Sequence, residues 1–204
     1  MSHSENMPRR KMVKMMAALG LGAGSGAAMA DVGVMIPGKG WVKSSGNQCH
    51  GDGTPLQFIP KAAPDADPLT DELKKHENCP YCGMNRTKYH QSRHLVQYDD
   101  DLVDGTCSLH CLAISLSLNI DRGPKAVYAA DFGASSDIKP LVLVDSATYL
   151  IGSKLKGTMT PNSKMAFASK EAAAKAQAEQ GGELASFDEA LTAAYTGMAK
   201  DTMM

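Results

Sequence analysis

The chain has 204 residues, a formal net charge of −1 and only 5% aromatic residues. Beyond the first thirty residues its lysines and arginines are scattered, so this part of the chain lacks the basic patch that attracts nucleic acids or anionic membrane surfaces. The few aromatic residues also argue against a surface on which bases stack. We therefore expect no nucleic-acid partner.

Residues 1–30 predict an export signal. A basic run with paired arginines precedes a mildly apolar stretch rich in alanine and glycine. Ala28-Met29-Ala30 offers small residues where a signal peptidase cleaves, so Asp31 is the expected mature start. Paired arginines before a weakly apolar core are typical of twin-arginine signals, which export folded proteins. We expect a periplasmic protein that contacts the membrane only if the signal stays uncleaved.

Residues 31–75 predict an extended leader, because proline and glycine interrupt any regular pattern there. Cys49 and His50 are neighbours in this leader and would suit a soft metal, although an isolated pair in a loop is more often incidental. The charged run Asp71–Lys75 predicts a helical turn that leads into the next segment.

The first predicted structural unit spans about residues 76–133 and consists of strands, a helix and a strand. Its elements are strands at 94–98 and from 102, a helix at 108–119 and a strand at 126–132. The helix follows from the spacing of its apolar residues. Gly105 and Thr106 should end the second strand.

A second unit, about residues 138–200, repeats this order. Its elements are strands at 141–145, 147–152 and 165–168, a helix at 170–180, a strand at 183–186 and a short helix at 187–195. Ser169 should cap the first of these helices and Gly181-Gly182 should end it. The sequence therefore predicts an α+β fold of two similar small strand-helix-strand subdomains.

Four of the five cysteines lie within 33 residues, in two close pairs. Cys79 and Cys82 are separated by two residues, and Cys107 and Cys111 by three. Thiolates at these spacings either converge on one metal ion or carry out disulfide chemistry. The residues alone support three interpretations.

A soft-metal site is the first interpretation. Thiolate and thioether ligands select monovalent copper, and thiolates also bind zinc. Cys82-Gly83-Met84 offers one ligand of each kind. Cys107, His110 and Cys111 would add ligands at the start of a helix, where amide dipoles lower thiol pKa values. The overall spacing resembles that of small treble-clef metal-binding domains.

Thiol–disulfide exchange is the second interpretation, because Cys79-Pro80-Tyr81-Cys82 is the tetrapeptide of the glutaredoxin active site. That site needs a strand directly before the motif and a helix directly after it. Residues 71–78 are instead charged and polar, and Gly83 stands where the helix would run. Both features disfavour an oxidoreductase.

A purely structural role is the third interpretation. A closed four-cysteine zinc site would stabilise the domain without any transfer chemistry. In an oxidising periplasm, the disulfides Cys79–Cys82 and Cys107–Cys111 would have the same effect.

From Cys79 to Tyr195 the chain resembles the NosL family, accessory proteins of nitrous-oxide reductase that carry copper(I) in the periplasm. The resemblance depends on the order and spacing of several short motifs. They are YCGM at 81–84, VYAADF at 127–132, ATYLIGS at 147–153, GTM at 157–159, an alanine-rich segment at 166–173, GG at 181–182 and FDE at 187–189.

The resemblance implies that residues 76–200 form a metal-binding domain of two similar subdomains. It implies delivery of copper(I) to a periplasmic copper enzyme, directly or with other maturation factors, and neither catalysis nor a small-molecule substrate. It also implies that Cys82 and Met84 are core copper ligands and that Met159 is the family's loop methionine.

Three departures from the family distinguish this chain, and one of them is the long leader from Asp31. Members commonly carry a lipid-bearing cysteine, which this chain lacks after the predicted cleavage site. Members also typically have one cysteine in the metal motif, whereas this chain adds Cys79, Cys107 and Cys111. We expect these thiols to be further ligands or a redox gate, and they make zinc the alternative metal.

Overall fold

The structure, a computed structural model, describes residues 33–36, 40–43, 63–120 and 122–203. The predicted export signal and the Cys49-His50 pair lie outside the described residues. No helix in the described ranges combines the length and the hydropathy that crossing a membrane requires.

Part of the predicted leader forms regular structure. Strands β1 (Gly33–Ile36) and β2 (Gly40–Lys43) pair as an antiparallel hairpin, with Val34 opposite Val42. The sequence analysis expected no strand there, because glycine and proline obscured the short apolar runs. The predicted helical turn is confirmed as α1 (Glu72–Lys75).

The first large sheet is antiparallel and has the strand order β4-β3-β5-β6. Its strands are β3 (His94–Tyr98), β4 (Val103–Thr106), β5 (Pro124–Ala130) and β6 (Leu141–Leu143). Helix α2 (Leu109–Leu118) connects β4 to β5. Every residue of β3 is buried, as expected of a strand with neighbours on both edges.

The second sheet has the order β8-β7-β9 and is also antiparallel. Its strands are β7 (Thr148–Ile151), β8 (Lys164–Phe167) and β9 (Glu183–Ala185). Helix α3 (Lys170–Gln180) starts at the predicted cap, where the Ser169 side chain accepts a hydrogen bond from the amide of Ala172, and ends at Gly181. The chain then forms α4 (Phe187–Asp201).

The two units share one topology. In each, a hairpin is followed by a helix, and a third strand then returns beside the first strand of the hairpin. The units are β3-β4-α2-β5 and β7-β8-α3-β9. The predicted α+β class with two strand-helix-strand units is thus confirmed.

Three boundaries differ from the sequence predictions. Strand β4 continues through Gly105 and Thr106 instead of ending there, because β3 pairs with both residues. Strand β6 pairs with β5 of the first sheet, and a 3-10 turn at Val144–Ser146 separates it from β7. Helix α4 extends to Asp201 rather than ending near Tyr195.

One hydrophobic core joins the two units. Val96 of β3, Leu112 of α2 and Tyr149 of β7 are all 0% exposed and belong to the same buried cluster. Ala190 and Ala194 bring α4 into this cluster. Since α2 is held between a sheet and a second helix, its first turn provides a fixed platform for the cysteines beside it.

Candidate metal centre

Residues 77–86 fold into a tight loop, which we call the cysteine knuckle. The amide of Cys79 donates to the carbonyl of Met84 (2.9 Å), and the amide of Gly83 donates to the carbonyl of Cys79 (2.9 Å). Gly83 has φ = +74°, a left-handed conformation that glycine adopts without a steric penalty. The knuckle therefore brings the sulfurs of Cys79 and Cys82 together.

The second cysteine pair is positioned by the junction of β4 and α2. Cys107 directly follows β4, and Cys111 lies in the first turn of the helix. Both were predicted at the start of the helix, and Cys107 lies two residues before its first residue, Leu109. The turn still brings the two sulfurs to 3.8 Å. The positive end of the helix dipole favours thiolates at this location.

All four sulfurs form one compact group. They lie within 4.8 Å of one another, and the Cys82–Cys107 separation is 3.3 Å. All four cysteines are free thiols. Zinc with bonds of about 2.3 Å in a tetrahedral site spaces its sulfurs about 3.8 Å apart. The group is therefore compact enough to bind a single soft cation.

Exposure distinguishes one cysteine from the other three. Cys79, Cys107 and Cys111 are 2%, 0% and 1% exposed, whereas Cys82 is half-buried. Met84 is also half-buried and packs against the cluster. In the described residues, Cys82 and Met84 are thus the sulfur donors of this centre that solvent can reach.

The metal-free thiols share their protons unequally. Hydrogen bonds from Cys107 and then Cys111 hold the pKa of Cys79 far below its ordinary value. The bonds to Cys107 and Cys79, with burial, raise the pKa of Cys111 far above it. The hydrogen bond to Cys111 lowers the pKa of Cys107, but the hydrogen bond to Cys79 and burial outweigh it. The pKa of Cys107 is therefore raised overall. A bound cation would displace the protons that remain on these thiols.

A buried polar network ties the knuckle to the rest of the unit. Tyr81, between the first two cysteines, donates a hydrogen bond to Oδ2 of Asp104 in β4. Ser115 of α2 donates to the same oxygen (2.6 Å) and lies 2.6 Å from the hydroxyl of Tyr98. The network joins the knuckle, the hairpin and α2, the three elements that carry or support the thiols.

Arg86 anchors the end of the knuckle. Its side chain is fully buried and forms an ion pair with Glu72 (2.7 Å). It also donates to the carbonyls of His76 (2.7 Å), His94 (3.2 Å) and Thr106 (3.3 Å). A single guanidinium thereby joins the segment before the knuckle to both strands of the hairpin.

Two predicted ligands lie outside the sulfur group. The ring nitrogens of His110 are not among the grouped ligand atoms. Its Nδ1 is buried and has no hydrogen-bond partner among the described residues. Met159 is exposed, has φ = +70°, and is not among the side chains that pack against the cysteines.

Ser92 connects the Met159 loop to the cysteine centre through the backbone. Its Oγ lies 2.8 Å from the carbonyl of Cys107 and 2.8 Å from the hydroxyl of Thr158. With one proton, Ser92 donates to the carbonyl and accepts from Thr158. The loop before Met159 is therefore attached to a residue of the thiol cluster.

The sequence analysis missed the residues that support the cysteines. Glu72, Arg86, Ser92 and Asp104 are polar and would ordinarily be assigned to the surface. Asp104 and Ser115 are eleven positions apart, so no local spacing indicated their contact. The available signal was the arginine at the end of the knuckle, Arg86, but sequence alone does not show whether an arginine is buried or exposed to solvent.

Comparisons with known proteins fit this architecture. A family profile described as NosL matches residues 70–195, more than half of the chain. The chain belongs to the NosL family. The match includes α1 and therefore Glu72, the ion-pair partner of Arg86, as well as both strand-helix-strand units.

One solved structure is similar to this NosL-family chain. It is described as the copper chaperone NosL from Shewanella denitrificans and shares 24% sequence identity, with a TM-score of 0.48. The alignment covers 64% of this chain and 96% of that one. A comparison with curated proteins gives no match.

Proposed function

We propose that this chain is an exported, non-enzymatic copper(I) carrier that acts in the periplasm during maturation of a copper enzyme, most specifically nitrous-oxide reductase. The observation that carries the proposal is the group of four sulfurs within 4.8 Å of one another in a NosL-family chain. Copper(I) is the cargo of this protein rather than a resident cofactor.

The donor set fits copper(I). Thiolates and thioethers are the soft ligands that select this ion over harder divalent metals. Cys79, Cys82, Cys107 and Cys111 would supply thiolates, and the thioether of Met84 packs against them. Loading would release the protons that Cys107 and Cys111 hold in the metal-free cluster.

Unequal exposure suits a carrier. A partner's ligand has to reach the ion before the carrier's last ligands leave it. Cys82 is half-buried while the other three sulfurs are at most 2% exposed. We therefore assign Cys82 and Met84 to the side at which copper enters and leaves, and the three buried thiols to retention.

His110 and Met159 have supporting roles in this proposal. His110 lies next to Cys111 in the first turn of α2, but outside the sulfur group. Met159 is exposed on a loop that Thr158 and Ser92 attach to Cys107. We assign Met159 to the transfer of copper between the partner and the centre, and no direct ligation to His110.

A closed zinc site is the competing function, and the burial of three thiols favours it. Four cysteines on a knuckle and a helix start are also a common structural zinc arrangement. The two functions differ in metal preference. A carrier retains copper(I) tightly yet releases it to a soft ligand, whereas a structural zinc ion is required for folding.

The local structure does not support the oxidoreductase alternative. The segment before Cys79 contains the short helix α1 followed by irregular chain. After Cys82 the chain turns at Gly83, which has a left-handed conformation. A glutaredoxin-like site would have a strand before the motif and a helix after it.

Anaerobic copper(I) titration of the reduced chain from Asp31 onward, against a competing chelator, tests the proposal. Zinc is titrated in parallel. We expect one copper(I) to bind more tightly than zinc, and Cys82→Ser to weaken copper binding at least tenfold, about 1.4 kcal/mol. Cys49→Ser, which retains the four clustered cysteines, is the matched control and should bind as the unaltered chain does.

Two outcomes would reject the carrier. Weak copper binding that Cys82→Ser leaves unchanged would remove the metal assignment. A preference for zinc, with loss of folding after chelation, would establish the structural role instead.

A further inference from the structure

We infer that Cys82 is a site of covalent oxidation, at which an external disulfide links it to Cys107 in the metal-free chain, and that this bond closes the centre to copper. Cys82 lies in the knuckle, and Cys107 lies between β4 and α2. The bond therefore joins the two cysteine pairs, whereas the sequence analysis considered disulfides only within each pair. The bond itself does not depend on the proposed function, but its effect on copper rests on it.

Exposure determines which thiol reacts first. Cys82 is half-buried, whereas the other three thiols of the group are at most 2% exposed. In thiol–disulfide exchange the attacking sulfur has to reach a sulfur of the oxidant. A small disulfide molecule or the disulfide of another protein therefore reacts with Cys82 before it reaches the buried thiols.

Distance determines the second thiol. Sγ of Cys82 lies 3.3 Å from Sγ of Cys107, which itself lies 3.8 Å from Sγ of Cys111. A disulfide holds its sulfurs about 2.05 Å apart, so Cys82 and Cys107 need to approach by roughly 1.3 Å. Ser92 donates to the carbonyl of Cys107 and fixes that side. Space is open on the other side, because nothing lies within 4 Å of a Cβ built on Gly83.

The reaction takes place in two exchange steps. In the first, the sulfur of Cys82 bonds to one sulfur of the external disulfide, and the other half leaves as a thiol with the Cys82 proton. In the second, the sulfur of Cys107 attacks the sulfur of Cys82, and the remaining half leaves as a thiol with the Cys107 proton. The two cysteines thus lose two electrons and two protons, and the external disulfide gains both.

The bond removes two of the four thiol donors. One of them, Cys82, is the thiol at the side where copper is proposed to enter. The two thiols that remain, Cys79 and Cys111, are 2% and 1% exposed. Because a disulfide sulfur is no longer a thiolate ligand, we expect the oxidised chain to bind copper(I) at least tenfold more weakly. Loading would then require prior reduction of this one bond.

Peptide mapping of the metal-free full chain tests the bond directly. The reduced chain is exposed to oxidised glutathione, the remaining thiols are alkylated, and monomers are digested with trypsin. Residues 76–86 carry the first cysteine pair, residues 94–122 the second and residues 44–61 carry Cys49, all on separate tryptic peptides. We expect peptides 76–86 and 94–122 to be joined, with fragmentation placing the bond at Cys82 and Cys107.

A disulfide within either peptide, a different pair between them, or no disulfide in the group would overturn the inference. The double variant Cys79→Ser with Cys111→Ser retains the proposed pair and should be oxidised as fast as the unaltered chain. The matched variant Cys82→Ser with Cys107→Ser retains two buried thiols and should react at least tenfold more slowly. If either variant does not fold, the map of the unaltered chain decides alone.

Copper(I) titration of the reduced and oxidised chains separates this inference from the proposed function. Tight binding by the reduced chain alone, restored in the oxidised chain by dithiothreitol, supports the closing of the centre. Equally tight binding by both forms would overturn it and leave the carrier function intact. Weak binding by both forms would reject the carrier function, while the peptide map still decides the bond.

Discussion

Tyr81 donates a hydrogen bond to Oδ2 of Asp104, and this contact fixes the middle of the cysteine knuckle to β4. The same oxygen accepts from Ser115 of α2 (2.6 Å). The sulfurs of Cys79 and Cys82 flank Tyr81 in sequence, so their positions depend on a buried carboxylate of the adjacent hairpin.

Replacing Tyr81 with phenylalanine should therefore loosen the knuckle. Asp104 would keep one donor instead of two, and losing a hydrogen bond to a charged group costs about 1.5–3 kcal/mol. We expect the free energy of unfolding of the reduced chain, measured in urea, to fall by this amount. We also expect metal binding to weaken. Tyr89→Phe, which removes the hydroxyl of a half-buried tyrosine outside this network, is the control. Equal effects of the two variants would contradict the role of the Tyr81–Asp104 contact.

Arg86→Met should cause a larger loss of stability. The substitution leaves the Glu72 side chain buried with only Arg93 as its ion-pair partner (2.8 Å), and it removes the donors to four backbone carbonyls. Breaking a buried ion pair costs about 3–5 kcal/mol. The measurement is chemical unfolding, with Lys88→Met as control because Lys88 is an exposed cation. A loss below 1 kcal/mol would show that the guanidinium does not hold the segment before the knuckle.

Gly105 has no space for a side chain. A Cβ atom there would lie 2.6 Å from Cβ of His76 and 2.7 Å from Cζ of Arg86. Gly105→Ala should therefore destabilise the first unit by about 1–3 kcal/mol, the usual effect of overpacking. Gly197→Ala is the matched comparison, because nothing lies within 4 Å of a Cβ at that position in α4.

The two alanine variants should shift stability in opposite directions. Alanine is favoured over glycine in a helix by about 1 kcal/mol, so Gly197→Ala should raise the melting temperature. A neutral Gly105→Ala would mean that Arg86 does not pack against β4 as described.

His94 predicts a specific pH dependence of folding. Its Nδ1 lies 3.0 Å from the carbonyl of Ser92 and must carry the proton, so Nε2 accepts from the hydroxyl of Tyr149 (3.0 Å). Burial lowers the pKa of His94 from 6.5 to about 4. The folded protein therefore keeps this ring neutral across the mildly acidic range.

The sign of the effect follows from proton binding. Above pH 6.5 the ring is neutral in both the folded and unfolded states and contributes no slope. Between pH 6.5 and 4 only the unfolded state binds the proton, so stability falls by about 3 kcal/mol in all. Below pH 4 both states are protonated and the contribution stays constant. His94→Gln should flatten the unfolding free energy in this window, and parallel curves for the two proteins would contradict a buried neutral ring.

Local patterns predicted most of the regular structure. The spacing of apolar residues gave α2, and Ser169 with Gly181 gave the limits of α3 to within a residue. Helix α4 was underpredicted because Thr196 and Gly197 resemble a stop. A capping box at Ser186 and Glu189 and the packing of Ala190 and Ala194 on the core stabilise it along its length.

The features that the sequence did not predict depend on contacts between residues that lie far apart in the chain. Nothing near Leu141–Leu143 indicates that this strand joins β5 instead of the second sheet. The clustering of Cys79, Cys82, Cys107 and Cys111 was predictable from spacing, since knuckles and helix starts are common ligand positions. The burial of Glu72, Arg86 and Asp104 was not, because sequence does not show which polar residues acquire partners in the fold.

X-ray absorption at the copper edge of the anaerobically loaded chain tests the central claim most directly. The account predicts one copper(I) with a first shell of sulfur alone, and a loss of sulfur scattering in Cys107→Ala, which removes a fully buried thiol. Nitrogen or oxygen ligands in the first shell, or a spectrum that Cys107→Ala leaves unchanged, would contradict it.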